Sequence, residues 1–281
     1  MNDPMPRRRP EACPFLPRAG LRPPRRCAAA VVAGLACLAI FGTAPARADF
    51  KVWTPDVQYG EIAIENVGDA GFDANRARSG EQSHTAEIEY GLATWWQTEL
   101  EFEFARDPGP GQPTRYSQAT SENLFQFTER GEYWIDAGLF FEYGQSQLPG
   151  QPSEFTLGPV LRKDFGGTSN SLNLFFERDI GSYGSSRAVF SYAFESRIDA
   201  WTWRIGRNFI EPGLQVYGTP GPVGHFGAWS LQDERAGPQL FGKIFNLGPG
   251  TLEWNGGVLF GLNASVPRTT VRWQLEYEIH Y

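Results

Sequence analysis

The side chains best placed to do chemistry are carboxylates at every second position. Glu99, Glu101 and Glu103 alternate with Leu100, Phe102 and Phe104, and Glu87 and Glu89 alternate with Ala86, Ile88 and Tyr90. Successive side chains of a strand point to opposite faces, so each stretch presents one acidic and one apolar face. The same parity adds Glu61, Glu65, Asp136, Glu142, Glu276 and Glu278 to the acidic side, with Arg272 beside the last pair. Farther along, Arg162, Arg187, Arg197, Arg204, Arg235 and Lys243 share the polar face with Glu177 and Glu195. In a closed ring of strands these two sets face each other as an acidic and a basic wall. The walls can stand apart with water between them, or meet and pair the lumen shut. Buried charges tolerate a low dielectric only when paired, and the surplus of carboxylates favours water or cations inside.

Catalytic chemistry finds little support. The three histidines are His84, His225 and His280. His84 has the parity of Ala86 and Ile88 and faces outward, where a lipid hydrolase at the rim would need a serine and an orienting partner. Ser83 is adjacent but points the other way. Neither a phosphate-cradling glycine loop nor a spaced metal-ligand set occurs, so no enzyme activity, cofactor or metal is expected. Asp69, Asp73, Glu81 and Asp107 could hold a divalent ion only loosely.

Strands must position these charges, and the chain provides them. Twelve amphipathic segments are expected near 57–67, 83–93, 96–106, 121–130, 133–143, 154–165, 169–179, 187–198, 201–217, 234–245, 250–261 and 268–281. Most have the roughly 9–11 residues that a tilted membrane strand needs. Long Gly-, Pro- and Ser-rich connections alternate with tight turns, the asymmetry of transmembrane barrels. Trp95, Trp96, Tyr133, Trp134, Trp201 and Trp203 follow tight turns, as an aromatic girdle at one membrane interface would. The 281 residues have a mean hydropathy of −0.38, and no apolar run reaches the roughly 18 residues of a spanning helix. The fold class is therefore all-β, a single closed antiparallel transmembrane barrel of twelve strands. Ten is the alternative, because only Asp199-Ala200 separates the eighth strand from an unusually long ninth. Gly158-Pro159 and Gly237-Pro238 are expected to kink the wall, since proline removes a ladder donor.

Residues 1–48 have the order of a secretory signal peptide: an arginine-rich start, an apolar run from Ala28 to Gly42, then Ala46-Arg47-Ala48. Cleavage before Asp49 leaves 49–281 as the barrel domain, with 17 basic and 30 acidic residues and a formal charge of −13. All three cysteines, Cys13, Cys27 and Cys37, leave with the signal. With so many basic residues crowded into the first few dozen positions, a cytosolic nucleic-acid binder is not expected.

At the carboxyl end Val271, Trp273, Leu275, Tyr277, Ile279 and Tyr281 alternate with polar residues. This resembles the terminal-strand signal of Gram-negative outer-membrane barrels, which implies recognition by the barrel-assembly machinery and contact with outer-membrane lipid and lipopolysaccharide. Glu89-Tyr90-Gly91-Leu92, Leu157-Gly158-Pro159-Val160-Leu161 and Gly257 to Leu262 resemble segments of the barrel family named for the MetA-pathway of phenol degradation. The leading expectation is a small passive channel for small polar or cationic solutes. The family resemblance implies, as an alternative, passage of aromatic or hydrophobic compounds along Phe125, Phe127 and Phe175. A closed structural or adhesive barrel, acting through 107–120 and 218–233, is a third reading. The oligomeric state is not legible.

Overall fold

The computed structural model describes residues 50–185 and 187–280. The expected signal peptide and the terminal Tyr281 lie outside them. Strands β1 (Glu61–Phe72), β2 (Gln82–Ala93), β3 (Trp96–Arg106), β4 (Arg115–Gln126), β5 (Asp136–Ser146) and β6 (Ser153–Phe165) form the first half. The second half comprises β7 (Thr168–Ile180), β8 (Val189–Arg197), a short β9 (Trp203–Ile205), β10 (Asn208–Pro222), β11 (Asp233–Leu247), β12 (Gly250–Gly261) and β13 (Thr269–His280). Each barrel strand pairs antiparallel with its neighbours, β8 pairs with β10, and β13 returns to β1 to close a barrel of twelve strands.

Strand β9 is an extra hairpin arm against Asn208–Ile210, so the long ninth segment read from the sequence is two pieces. Gly206, with φ of +65°, makes the reversal between them. Two-residue turns join β2 to β3, β6 to β7 and β11 to β12 at one end of the barrel. In the second of these, Gly166 and Gly167 take φ of +62° and +80°, the left-handed pair that a type I′ hairpin requires. The opposite end carries longer connections, among them 73–81, 107–114 and 223–232. Residues 127–135 at the short-turn end are an exception: Asp136 accepts the Gly131 N–H at 2.7 Å and Thr128 Oγ1 accepts the Ala137 N–H at 2.9 Å. Those bonds fold the stretch into a turn and start β5 three residues later than the sequence suggested.

The barrel has a polar interior and an apolar exterior, which identifies the medium around it. Leu100 is 54% exposed while its neighbour Glu99 is 1% exposed. Ile64, Ile88, Leu214, Leu240 and Leu275 likewise point out. In water this arrangement would leave the apolar face unburied; a membrane barrel is built this way. Both Gly-Pro pairs sit where the ladder to the next strand is interrupted, between Leu157 and Val160 and between Ala236 and Gln239. A Cβ on Gly158 would lie 1.9 Å from the Leu174 carbonyl oxygen, and one on Gly237 1.9 Å from that of Val258. Paired kinks in the wall are thus present, with glycine admitting the close approach and proline carrying no donor to lose.

Candidate functional site

The lumen is occupied by the chain itself. Before β1, residues Phe50 to Gln58 lie inside the barrel and touch both walls: Phe50 is deepest, against Tyr217 and Leu259, and the chain descends to Gln58 beside Gly91 at the short-turn end. Their backbone groups find side-chain partners, as buried peptide groups must. Asn173 accepts the Trp53 N–H at 2.8 Å and donates to the Trp53 carbonyl at 2.9 Å. Gln126 accepts the Val57 N–H at 2.8 Å, and the Tyr217 hydroxyl donates to the Phe50 carbonyl at 2.9 Å. Two small apolar clusters complete the seat. Phe50 packs with Ala193, Tyr217 and Leu259, and Trp53 packs with Leu124, Phe140 and Val160. The wall is shaped for this passage: a Cβ on Gly91 would strike the Gln58 carbonyl oxygen at 1.9 Å, and one on Gly138 would press Pro55 at 3.1 Å.

The acidic wall receives its counter-charge from this segment. Lys51 Nζ lies 2.7 Å from Glu65 and 2.9 Å from Glu99, and also pairs with Glu87. The same ammonium stands 3.9 Å from the Trp53 ring centroid. Thr85 donates to Glu87 and Gln97 to Glu99, both at 3.0 Å, holding the carboxylates in place. Glu122 is opposite Glu99 in the β3–β4 register, and its buried Oε2 has no hydrogen-bond partner. Asp56, also on the segment, pairs with Arg162 at 2.5 Å.

The basic wall is neutralised from within. Arg197 pairs with Glu195 at 2.6 Å and Glu253 at 3.3 Å, while Lys243 reaches Glu253 at 3.0 Å and Glu278 at 2.9 Å. Arg235 meets Asp233 at 2.9 Å and Glu81 at 2.8 Å, and its guanidinium lies over the Phe50 ring. Buried Arg272 has amide partners: Gln215 at 2.7 Å, Gln274 at 3.0 Å, and Asn255. Gln215 donates on to Glu195 and Gln274 to Glu65, so a polar chain joins the two walls.

Of the charges placed on the lumen by parity, Glu61, Glu65, Glu87, Glu89, Glu99, Glu101, Asp136, Glu195, Arg235, Arg272 and Glu278 are buried inside. Glu103, Glu142, Arg162, Glu177, Arg197, Lys243 and Glu276 are inward and partly buried. Arg187 lies elsewhere: it precedes β8 in an exposed connection, beyond the wall, because the parity runs past the end of the strand that carries it. Arg204, on the β9 hairpin arm, is exposed at the short-turn rim and borders the lumen cavity there. Phe125 and Phe127 are also corrected: Phe125 stacks with Trp95 and Trp96, and Phe127 is 65% exposed. In β4 the inward positions belong to Thr120, Glu122 and Leu124; Phe175 alone of the three phenylalanines reaches the Trp53 cluster.

All six girdle aromatics lie at the short-turn end, though not all open strands. Trp95 is in the β2–β3 turn and stacks on Trp96, and Trp203 opens β9. Tyr133 and Trp134, 60% and 78% exposed, fall within the 127–135 connection, and Trp201 closes a 3-10 turn. On β13, Trp273, Leu275, Tyr277 and Ile279 are on the outer face. His84 is there too, its ring 5.4 Å from that of Trp273. The loosely grouped loop acids have protein partners instead: Asp73 pairs with Arg78 at 3.2 Å, Glu81 with Arg235, and Asp107 with Arg115 at 2.7 Å. Asp69 is inside, on β1. In the loop, the Asn75 backbone N–H, with Arg78 and Arg268, holds the Asp73 carboxyl below its ordinary value.

Beside the segment remains a cavity of about 560 Å³. Its lining includes eleven carboxylates against six cationic side chains, Lys51 among them. Oxygens of Glu61, Glu89 and Glu276 come within 4.8 Å of one another there, as do those of Glu65, Glu87 and Glu99 around Lys51. His280 Nε2 is 2.9 Å from Glu61 Oε2 but is not aligned for a hydrogen bond.

No protein-family model matches the chain, and no curated protein matches its sequence. Among solved structures it is similar to the NanC porin, with 7% identity over 78% of this chain and 99% of the porin and a TM-score of 0.46. It is similar as well to the translocator domain of the autotransporter NalP from Neisseria meningitidis, with 9% identity over 91% and 97% of the two chains and a TM-score of 0.47. A bacterial polysaccharide outer-membrane secretin gives 12% identity, 80% and 99% coverage and a TM-score of 0.39.

Proposed function

We propose that this protein is an outer-membrane barrel that serves as a narrow, cation-preferring passage for small polar or cationic solutes, held closed here by residues 50–58. The observation that carries the reading is the charge of the free space: a cavity of about 560 Å³ bordered by eleven carboxylates and six cations. Walls of one prevailing sign concentrate counter-ions in a cleft. The outer-membrane location is supported by the apolar outer face and by the aromatics gathered at one end. It agrees with an amino-terminal signal peptide, assembly through the β13 pattern, and contact with lipid and lipopolysaccharide. Non-enzymatic passage fits a lumen whose polar groups serve to hold the segment and each other.

The test is conductance of the refolded 49–281 protein in a planar bilayer under a salt gradient. Discrete steps with a cation-selective reversal potential are expected. Replacing Glu99, Glu101 and Glu103 together by Gln should move that potential toward non-selectivity, and unchanged selectivity would sink the reading. A second reading, a closed barrel working through its loops, is favoured by the same segment, because Phe50, Lys51 and Trp53 occupy the lumen centre. A barrel that stays silent even when the segment is deleted would select it.

A further inference from the structure

Lys51 is the one segment charge caged by the acidic wall, and its surroundings describe a ligand. A primary ammonium has three N–H donors and no acceptor. Around Lys51 Nζ stand three carboxylates: Glu65 at 2.7 Å, Glu99 at 2.9 Å, and Glu87. The fourth side is the face of Trp53, at 3.9 Å, a favourable seat for a cation. Glu122 adds an independent sign. It is 4% exposed, it neighbours Glu99 in register, and its Oε2 has no hydrogen-bond partner. The carboxylates therefore exceed what one lysine satisfies. Lys51, Trp53, Glu65 and Glu99 also border the free cavity, so a small solute can reach the cage without unfolding the barrel.

We propose that Glu65, Glu87 and Glu99, with Trp53, form a binding site for primary alkylammonium groups, in which the chain's own Lys51 is the resident occupant that an ammonium-bearing solute displaces. The inference deepens the passage reading and rests on it for its role in transport. Binding at the cage, however, is measurable apart from conduction. Lys51 donates to Glu87 and Glu99 and is ion-paired with Glu65, so a cation with directed N–H donors suits the cage. A quaternary ammonium has no such donors, and a bare divalent ion needs a shell of oxygen ligands, which the Trp53 face does not supply.

The probe is n-butylammonium, the side chain of lysine cut free, titrated calorimetrically into the folded 49–281 barrel. Lys51→Ala empties the cage while Asn173 still holds the Trp53 backbone. That variant should bind one butylammonium, roughly tenfold or more tighter than the wild type, where Lys51 must first be displaced, and roughly tenfold tighter than tetramethylammonium. Glu99→Gln added to Lys51→Ala should weaken it by a similar factor. Equal affinity in wild type and Lys51→Ala, equal affinity for tetramethylammonium, or a preference for calcium would overturn the assignment. Should Lys51→Ala fail to fold, hydrogen exchange of residues 50–58 in the wild type replaces it. Butylammonium, and not tetramethylammonium, should accelerate exchange there, and no change would overturn the site. Binding without conductance would retain the cage and remove the passage; conductance without binding would do the reverse.

Discussion

The wall formed by β1–β4 and the wall formed by β8–β12 both bring charge into the lumen, but they neutralise it by different routes. On the second, cations and carboxylates are interleaved, so Lys243 and Arg197 share Glu253, and Lys243 also reaches Glu278 on the adjoining β13. On the first, Glu65, Glu87, Glu99 and Glu122 form a row with no cation of their own strands among them, and the only ammonium in the row is Lys51 from outside the sheet. One wall is therefore stable as a wall. The other depends on a removable segment, and that asymmetry places any switch on the β1–β4 side.

The sharpest way to break this comparison is Lys51→Ala. Removing one partner of a buried ion pair leaves uncompensated charge and costs about 3–5 kcal/mol. Chemical unfolding of the refolded barrel should show a loss of that size, and single-channel recording should show larger or more frequent openings. Adding Glu87→Gln should recover part of the loss, since it removes one of the stranded carboxylates. A fully stable, silent Lys51→Ala barrel would mean that the acidic wall does not lean on the segment.

Next in size is Asn173→Ala. It takes both side-chain bonds from the Trp53 peptide group, deep between Phe140 and Phe175, and leaves a buried N–H and C=O unpaired. Unsatisfied buried groups cost about 1–3 kcal/mol each, although water entering the lumen reduces this. The expected outcome is a loss of about 2 kcal/mol by denaturant titration, with hydrogen exchange of residues 50–58 rising while that of β1–β4 holds. Protection lost equally throughout would show that the segment and the wall are one cooperative unit.

The barrel was legible because its information is local. Alternation in stretches such as 96–106 fixes strand and face together, and β3 and β12 begin and end where the pattern says. Within the barrel strands, parity points to side chains that are buried or partly buried; Arg187 falls in a connection, where parity has no meaning, and Arg204, on a hairpin arm, borders the cavity at its rim. The aromatics at 133 and 134 misled for a related reason: the turn before β5 is built by Asp136 and Thr128 side chains, and no periodicity records that. The filled lumen was the main omission. Phe50-Lys51-Val52-Trp53 is too short to show a period, and its partners lie from Glu65 to Leu259 in sequence. A signal did exist: the chain has three lysines, and one of them stands among apolar residues ahead of a run of unmatched glutamates. Gly91 and Gly138, small residues on a lumen face, mark the path only once the segment is seen.

The smallest effect is expected on the opposite wall, and it sharpens the comparison most directly. Lys243→Ala also removes an ammonium from carboxylates, at 2.9 Å from Glu278 and 3.0 Å from Glu253. Its side chain, however, is 19% exposed, against 8% for Lys51, so water can take over part of its work. Glu253 keeps Arg197, and Glu278 borders the free cavity. The loss should be about 1–2 kcal/mol, between the exposed and the buried limits for ion pairs. Removing a cation here also makes the cavity lining more negative, so the reversal potential should move further toward cations while the closed fraction stays as in the wild type. Lys51→Ala changes the closed fraction instead. If the two lysine variants shifted gating alike, charge balance across the whole lumen would govern closure, and the cage around Lys51 would have no special part in it.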